Sequence, residues 1–380
     1  MLPGRAASLA ASARAEVFSG RRQDAKVNGS RKKPTMQHIA DKLGISKSLV
    51  SRALAGDAQV SDRTKEQVRL TAMELGYPIN SSAAAVPSSR TGNVAVLMPR
   101  AHLRDAEFWG KVVGGTEEEL HRSAFSLVLG CIATDEPVKS GLPSCITDRK
   151  VDGAIVMGRV PVGYIAEVLA TGIPVVLADV MADGLKLDHV LADNYRGGYE
   201  AASLLLQKGH RKLLFAGDPG FSYSFAERKR GAERAVAQFE PQDGTEAPSL
   251  SFVDSALLED QWLTLPGEEF AAALKGDVTA VVCANDSIAF AALERLAELG
   301  LRCPQDVSVV GFDNVERCEW VTPSLTSVDA GKTTIGKRAV ELLLRRMEHP
   351  EERPETLYIA TEMVERNSVA EHFNNFIKQV

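Results

Sequence analysis

The chain has 380 residues, 44% of them hydrophobic and 25% charged, which is the profile of an ordinary globular protein too long for a single core. Its net charge of -6 hides an asymmetry: residues 1–92 hold 15 Lys and Arg against 7 Asp and Glu, while the remainder holds 29 against 43. A basic head on an acidic body fits a protein whose head alone meets phosphate. No run approaches the roughly 18 uninterrupted apolar residues a membrane helix needs, so a span is excluded.

Residues 1–33 are rich in Ala, Ser, Arg and Gly and lack a continuous apolar core, so they read as a disordered basic arm rather than a secretory signal. Three short helices are then predicted over residues 34–79. Ile39, Ala40 and Leu43 recur at helical spacing, Gly44 breaks the run, and Ser46 stands where an N-cap belongs. Behind it Leu49, Val50, Ala53 and Leu54 form a second apolar series. Ser61 caps a third helix whose buried face is Val68, Ala72 and Leu75. Two helices joined by a short turn containing Gly form a helix-turn-helix, whose second helix enters the DNA major groove.

Residues 80–92 read as a linker, and after it the pattern changes. Short apolar runs at Val94–Met98, Ser126–Gly130, Gly153–Met157, Ile173–Leu177, Lys212–Ala216, Ala280–Cys283 and Val307–Gly311 alternate with helical stretches near Phe108–Arg122, Val162–Ala170, Tyr199–Gln207, Arg228–Gln238 and Ile288–Leu299. That alternation predicts parallel sheets covered on both faces. The two series, split near Asp193, predict two doubly wound subdomains within residues 93–370, with ligands at the carboxyl ends of their strands. Residues 371–380 are a tail too short for a heptad extension, which favours a dimer over a tethered tetramer. The cysteines Cys131, Cys145, Cys283, Cys303 and Cys318 are scattered and read as free thiols of a reducing cytoplasm.

The headpiece residues Ile39-Ala40, Gly44-Ile45-Ser46, Val50-Ser51-Arg52, Val60-Ser61, Thr64, Val68 and Leu75-Gly76-Tyr77 resemble the lactose-repressor family of transcription factors. The similarity continues through Ala192-Asp193-Asn194, Gly209-His210-Arg211, Arg228 to Gly231, Ala284-Asn285-Asp286, Val307 to Asp313, Pro323 to Thr326 and Arg366-Asn367-Ser368. It implies an all-α helix-turn-helix headpiece on an α/β body like the periplasmic binding proteins, with late crossovers between the subdomains near residue 323. Periplasmic sugar-binding proteins share that body, so the body alone leaves a sugar-binding protein without a regulatory role as the alternative. The headpiece decides for transcription.

By position in the family, Lys47 and Ser48 are expected to read base edges, with Arg52 one turn later. Thr35, Ser46, Ser51 and Asn80 are expected at phosphates, which position without specifying. Val86 falls where the family places a Leu that wedges into the minor groove, and Pro87 and the missing basic residue depart from that pattern. For the effector, Phe108 and Trp109 are expected from the first lobe, and Arg228, Asn285 and Asp313 from the second. Trp262 stands where an aromatic wall is common. Charged and amide groups beside an aromatic face suit a sugar or a related metabolite. The chain carries no G-x-S-x-G, H-E-x-x-H, Walker A or dinucleotide fingerprint, so neither enzyme activity nor a cofactor is expected. The expectation is a homodimeric cytoplasmic repressor of operator DNA, controlled by a small ligand.

Overall fold

The computed structural model describes residues 35–54, 57, 59–75, 77, 90–132, 141–241, 246–252, 267–274 and 277–372. The basic arm, Asn80, the hinge with Val86 and Pro87, Trp262 and residues 373–380 lie outside the described residues. Two compact units divide between residues 89 and 90.

The first unit holds helices α1 (Met36–Leu43), α2 (Lys47–Leu54) and α3 (Asp62–Glu74). Ile39, Ala40, Val50, Ala53, Val60, Val68 and Ala72 form its buried core, so each helix contributes the apolar stripe its spacing specifies. Gly44 ends α1 in the left-handed conformation (φ 65°), a region open to glycine at no steric cost. His38 closes the other end by accepting from the Thr35 backbone N–H at 2.9 Å. Ser46 and Ser61 cap α2 and α3, their hydroxyls accepting from the N–H of Leu49 and Thr64, each at 3.2 Å.

The second unit is built on two six-stranded sheets. The first comprises β1 (Asn93–Pro99), β2 (Ser126–Ile132), β3 (Gly153–Met157), β4 (Val175–Ala178), β5 (Asp188–Ala192) and β11 (Thr356–Ile359), in the order β2-β1-β3-β4-β5-β11 and all parallel. Its helices are α4 (Trp109–Arg122), α5 (Ser144–Thr147), α6 (Val162–Ala170) and α11 (Lys332–Glu348). Strand residues alternate between the two faces: Val94, Val96 and Met98 join the core with α4 and α11, while Ala95 and Leu97 face that of α5 and α6.

The second sheet comprises β6 (Lys212–Ala216), β7 (Ser249–Phe252), β8 (Ala280–Cys283), β9 (Ser308–Asp313), β10 (Thr326–Asp329) and β12 (Glu362–Val364), in the order β7-β6-β8-β9-β10-β12. Helices α7 (Asn194–Gln207), α8 (Tyr223–Gln238), α9 (Gly267–Ala273) and α10 (Asp286–Glu298) belong to this lobe. The expected parallel sheet carries one antiparallel edge, because β12 pairs with β10 in the opposite sense. No helix among the described residues is long and apolar enough to cross a membrane.

The chain passes between lobes after β5, after β10 and after β11. Residue 323 therefore lies within the second lobe, and the late crossings fall at residues 329–332 and 359–362 instead. Two helix pairs touch backbone to backbone. A Cβ on Gly198 would collide with the Arg228 carbonyl and one on Gly231 with that of Tyr195, so α7 and α8 meet through glycine. Gly115 and Gly336 do the same for α4 and α11, against Thr333 and Val112.

Candidate functional site

In the headpiece, Ser46, Lys47, Ser48, Ser51 and Arg52 are all exposed on or just before α2. Ser46 and Ser48 are hydrogen-bonded through their hydroxyls at 2.9 Å, so the cap and the first turn are tied together. Arg52 has partners within the headpiece. Its Nε donates to Asp57 Oδ2 at 2.7 Å and its Nη2 to Gln59 Oε1 at 2.9 Å, while Asp57 Oδ1 accepts from the Gln59 N–H at 2.8 Å. The side chain expected to face bases is thus bonded to the loop between α2 and α3. A local acidic partner five residues on was the signal in the sequence.

In the body, Phe108, Trp109, Arg228, Asn285 and Asp313 come together and line one cleft between the lobes. The cleft lies at the carboxyl ends of both sheets. Asp105 follows β1, Gly158 follows β3 and Asp179 follows β4 in one lobe; Phe221 follows β6, Asn285 follows β8 and Asp313 ends β9 in the other.

Arg228 is buried and held from several sides. Its Nε donates to Asn194 Oδ1 at 2.8 Å, its Nη1 to the Ala284 carbonyl at 2.5 Å, and its guanidinium stacks 3.6 Å over the Phe312 ring. Nη2 lies 3.2 Å from Asp313 Oδ1, an ion-pair contact without hydrogen-bond alignment. Asn285 caps α10, its Oδ1 accepting from the Ile288 N–H at 3.0 Å, so capping and cleft-lining coincide in one residue.

The aromatic wall is built around Trp109. His102 stacks on it with centroids 4.5 Å apart, and Phe108 meets it edge-on at 4.9 Å. Asp105 Oδ1 accepts from the Phe108 N–H at 3.0 Å and fixes this corner. Burial, with Arg159 nearby, drives the His102 imidazole down to about 4, so it is a neutral stacking surface at physiological pH. Across the cleft Arg159 packs 4.8 Å over the Phe221 ring.

Asp179, His102, Asp105 and Arg159 were not reached by reading the sequence. Asp179 is the most informative of them. It is half-buried with its Oδ1 sealed from solvent, sits at φ 54°, and that oxygen has no hydrogen-bond partner among the described residues. Burial pushes its carboxyl up to about 7, with Arg228 opposing and Asp313 adding to the rise. Burial likewise raises Asp313, against the pull of Arg228 and Lys332. The rule that ligands meet the carboxyl ends of strands could have found Asp179, since it directly follows a strand.

A family model for bacterial regulatory proteins of the lacI family matches residues 35–80, and a periplasmic-binding-protein-like model matches residues 202–369. The chain thus carries a lacI-family helix-turn-helix domain and a periplasmic-binding-protein-like body. The HTH-type transcriptional repressor PurR of Vibrio atlanticus is 27% identical over 340 residues, covering 88% of this chain and 98% of the relative. The ribose operon repressor of Haemophilus influenzae is 28% identical over 346 residues, with the same coverage of 88% and 98%. The solved complex of the transcriptional regulator CelR with cellobiose is similar with a TM-score of 0.64 at 27% identity, covering 88% of this chain and 99% of that one. The LacI family is one of DNA-binding transcriptional repressors, not enzymes.

Proposed function

We propose that this chain is a cytoplasmic, dimeric repressor whose operator affinity is set by a small, hydroxyl-rich ligand in the interlobe cleft. The observation that carries the reading is the union in one chain of an exposed helix-turn-helix and a cleft with desolvated carboxylates from both lobes. Lys47 and Ser48, on the first turn of α2, read base edges, and Thr35, Ser46, Ser51 and Asn80 contact phosphates. Val86 is the candidate minor-groove wedge. A two-fold operator needs two such heads at fixed spacing, hence a dimer.

On the ligand side, Asp179 and Asp313 accept from hydroxyls on opposite faces of the ligand. Phe108 and Trp109 cover an apolar face of the ring, with Trp262 as a further wall, and Arg228 and Asn285 hold the floor. The names of the ribose operon repressor and of the CelR–cellobiose complex point the same way. Three carboxylates, Asp105, Asp179 and Asp313, against two cations, Arg159 and Arg228, disfavour an anionic ligand. Because ligand and operator bind one molecule, each changes the other's affinity by the same factor.

The test is a thermal-shift panel of ribose, cellobiose, other neutral sugars and nucleosides, followed by gel-shift titration of operator DNA with any ligand that raises the melting temperature. A sugar should stabilise wild type, fail to stabilise Asp179→Asn, and change operator affinity. A sugar that stabilises both proteins equally would place its site elsewhere.

A further inference from the structure

The turn that ends β9 is held in a conformation its own residues disfavour. Asp313 has φ 111° and Asn314 φ 49°, two consecutive side-chain-bearing residues in the left-handed half of the map. Surrounding groups must over-determine such a turn. The second lobe supplies several: Asn314 N–H donates to Ser327 Oγ at 3.0 Å, Val315 N–H to Asp286 Oδ2 at 2.9 Å, Asn314 Nδ2 to Asp329 Oδ2 at 2.8 Å, and Arg366 Nη2 to Asn314 Oδ1 at 2.8 Å. The remaining one comes from the other lobe. Lys332 Nζ donates to the Asp313 carbonyl and, at 3.2 Å, to that of Asn314.

Lys332 is the first residue of α11, just past the point where the chain leaves the second lobe. Its neighbours there are locked into the first lobe, since Gly115 of α4 presses on the Thr333 backbone and Gly336 on Val112. Lys332 is 8% exposed, and among the described residues its ammonium makes hydrogen bonds to carbonyls and no ion pair. A buried charge that answers only carbonyls is costly to desolvate, and a neutral donor would brace the turn at lower cost. The charge has a second effect: it faces the Asp313 carboxyl and favours its ionised, hydrogen-bond-accepting form.

We propose that Lys332 is a positioning residue for the cleft, fixing the Asp313–Asn314 turn of one lobe from the first turn of a helix that belongs to the other. The proposal rests on the reading of the cleft as the effector site and adds how its occupancy is felt outside it. A ligand that engages Asp313 pulls on a turn tied to α11, and a movement of α11 against the second lobe re-aims Asp313. The ion pair between Lys111 of α4 and Glu316, at 2.6 Å, ties the same segment to the first lobe a second time.

The test uses the full-length protein without ligand or DNA. Lys332→Met, Lys332→Gln and Lys332→Arg are compared with wild type by carbon-13 NMR of labelled aspartate carboxyls, with Asp313 assigned from Asp313→Asn, and by hydrogen exchange at the amides of Asn314 and Val315. The other charges facing Asp313 are Arg228, Asp105, Asp179 and Asp286, and they are common to all variants. In Lys332→Met the Asp313 carboxyl should titrate about 1 unit higher, and the two amides should exchange at least about ten-fold faster. Lys332→Gln should shift the titration with a smaller change in exchange, and Lys332→Arg should stay near wild type. If the Met variant does not fold, the Gln and Arg pair decides on the titration alone. Wild-type titration in the folded Met or Gln variant overturns the proposal. A protein that shows these shifts but responds to no sugar would sink the effector reading and leave the Lys332 contact standing.

Discussion

Arg52 is bonded to Asp57 at 2.7 Å, so the one guanidinium on the exposed face of α2 is directed to its own loop rather than outward. DNA must compete with that carboxylate for the side chain. In Asp57→Ala the guanidinium is released, and duplex DNA should be bound more tightly and with a steeper salt dependence, the slope of log K against log salt growing by about 0.9 for one added phosphate contact. Fluorescence anisotropy titrations over a range of salt concentrations measure it. An unchanged slope would make Arg52 a brace for the loop in the complex as well.

Asp179 gives the body a distinctive pH profile. Its carboxyl is raised to about 7 in the folded state from an ordinary value of 3.8. The folded protein therefore holds this proton more firmly than the unfolded chain, and stability falls as pH rises through the window from about 4 to 7. Asp179→Asn removes the ionisation while Asn tolerates the positive φ. Urea unfolding should find the variant more stable than wild type near pH 8 and equal near pH 4, by roughly 1.4 kcal/mol for each unit by which burial raises the group. Its ligand response should be lost even so.

Gly231 sets how close α8 comes to α7, and with it where Arg228 stands. Gly231→Ala forces a Cβ onto the Tyr195 carbonyl and should destabilise the body by about 1–3 kcal/mol, as overpacking of a tight contact does. The displaced guanidinium would reach Asn194 and Ala284 less well, so sugar affinity should drop along with the unfolding midpoint. Alanine at Gly114, where no atom lies within 4 Å of the added Cβ, serves as the control.

At the other wall, Gly158 sits at φ 72° with its missing side chain replaced by the His102 ring and the edge of Trp109. Gly158→Ala combines an unfavourable backbone conformation with a clash, and must push His102 off Trp109. Ligand affinity should fall at least about ten-fold, the equivalent of 1.4 kcal/mol, while headpiece binding to DNA is retained. Calorimetric titration with a sugar that binds wild type, beside a gel shift, separates the two.

The strands of the body were readable because their apolar residues are local and continuous: β3 and β6 have the bounds their runs imply. Helices α7 and α8 start five residues earlier than periodicity suggests, at Asn194 and Tyr223, where the caps Asp193 and Ser222 define their first turns. Strand β5, with Asp188 and His189 in a buried run, escaped as well. Its Asp188 is balanced by Arg346 of α11 at 2.7 Å, a partner more than 150 positions away that no local pattern could announce. The cleft followed the same division. Arg228, Asn285 and Asp313 stand in motifs that can be matched along the chain, whereas Asp179 owes its significance to burial opposite Arg228.

The three crossings between lobes have a consequence for how the molecule is made. The first sheet is begun by residues 93–192 but lacks its edge strand β11 and its covering helix α11 until residue 359 has been added. During synthesis the apolar faces of β3, β4 and β5 that α11 will cover stay open while the whole second lobe is translated. The nascent chain therefore passes through a long interval in which a finished-looking lobe is missing one side, and chaperone demand should concentrate there. A nascent chain with residues up to 331 outside the ribosome would display that half-covered sheet, and one with residues up to 360 outside would not.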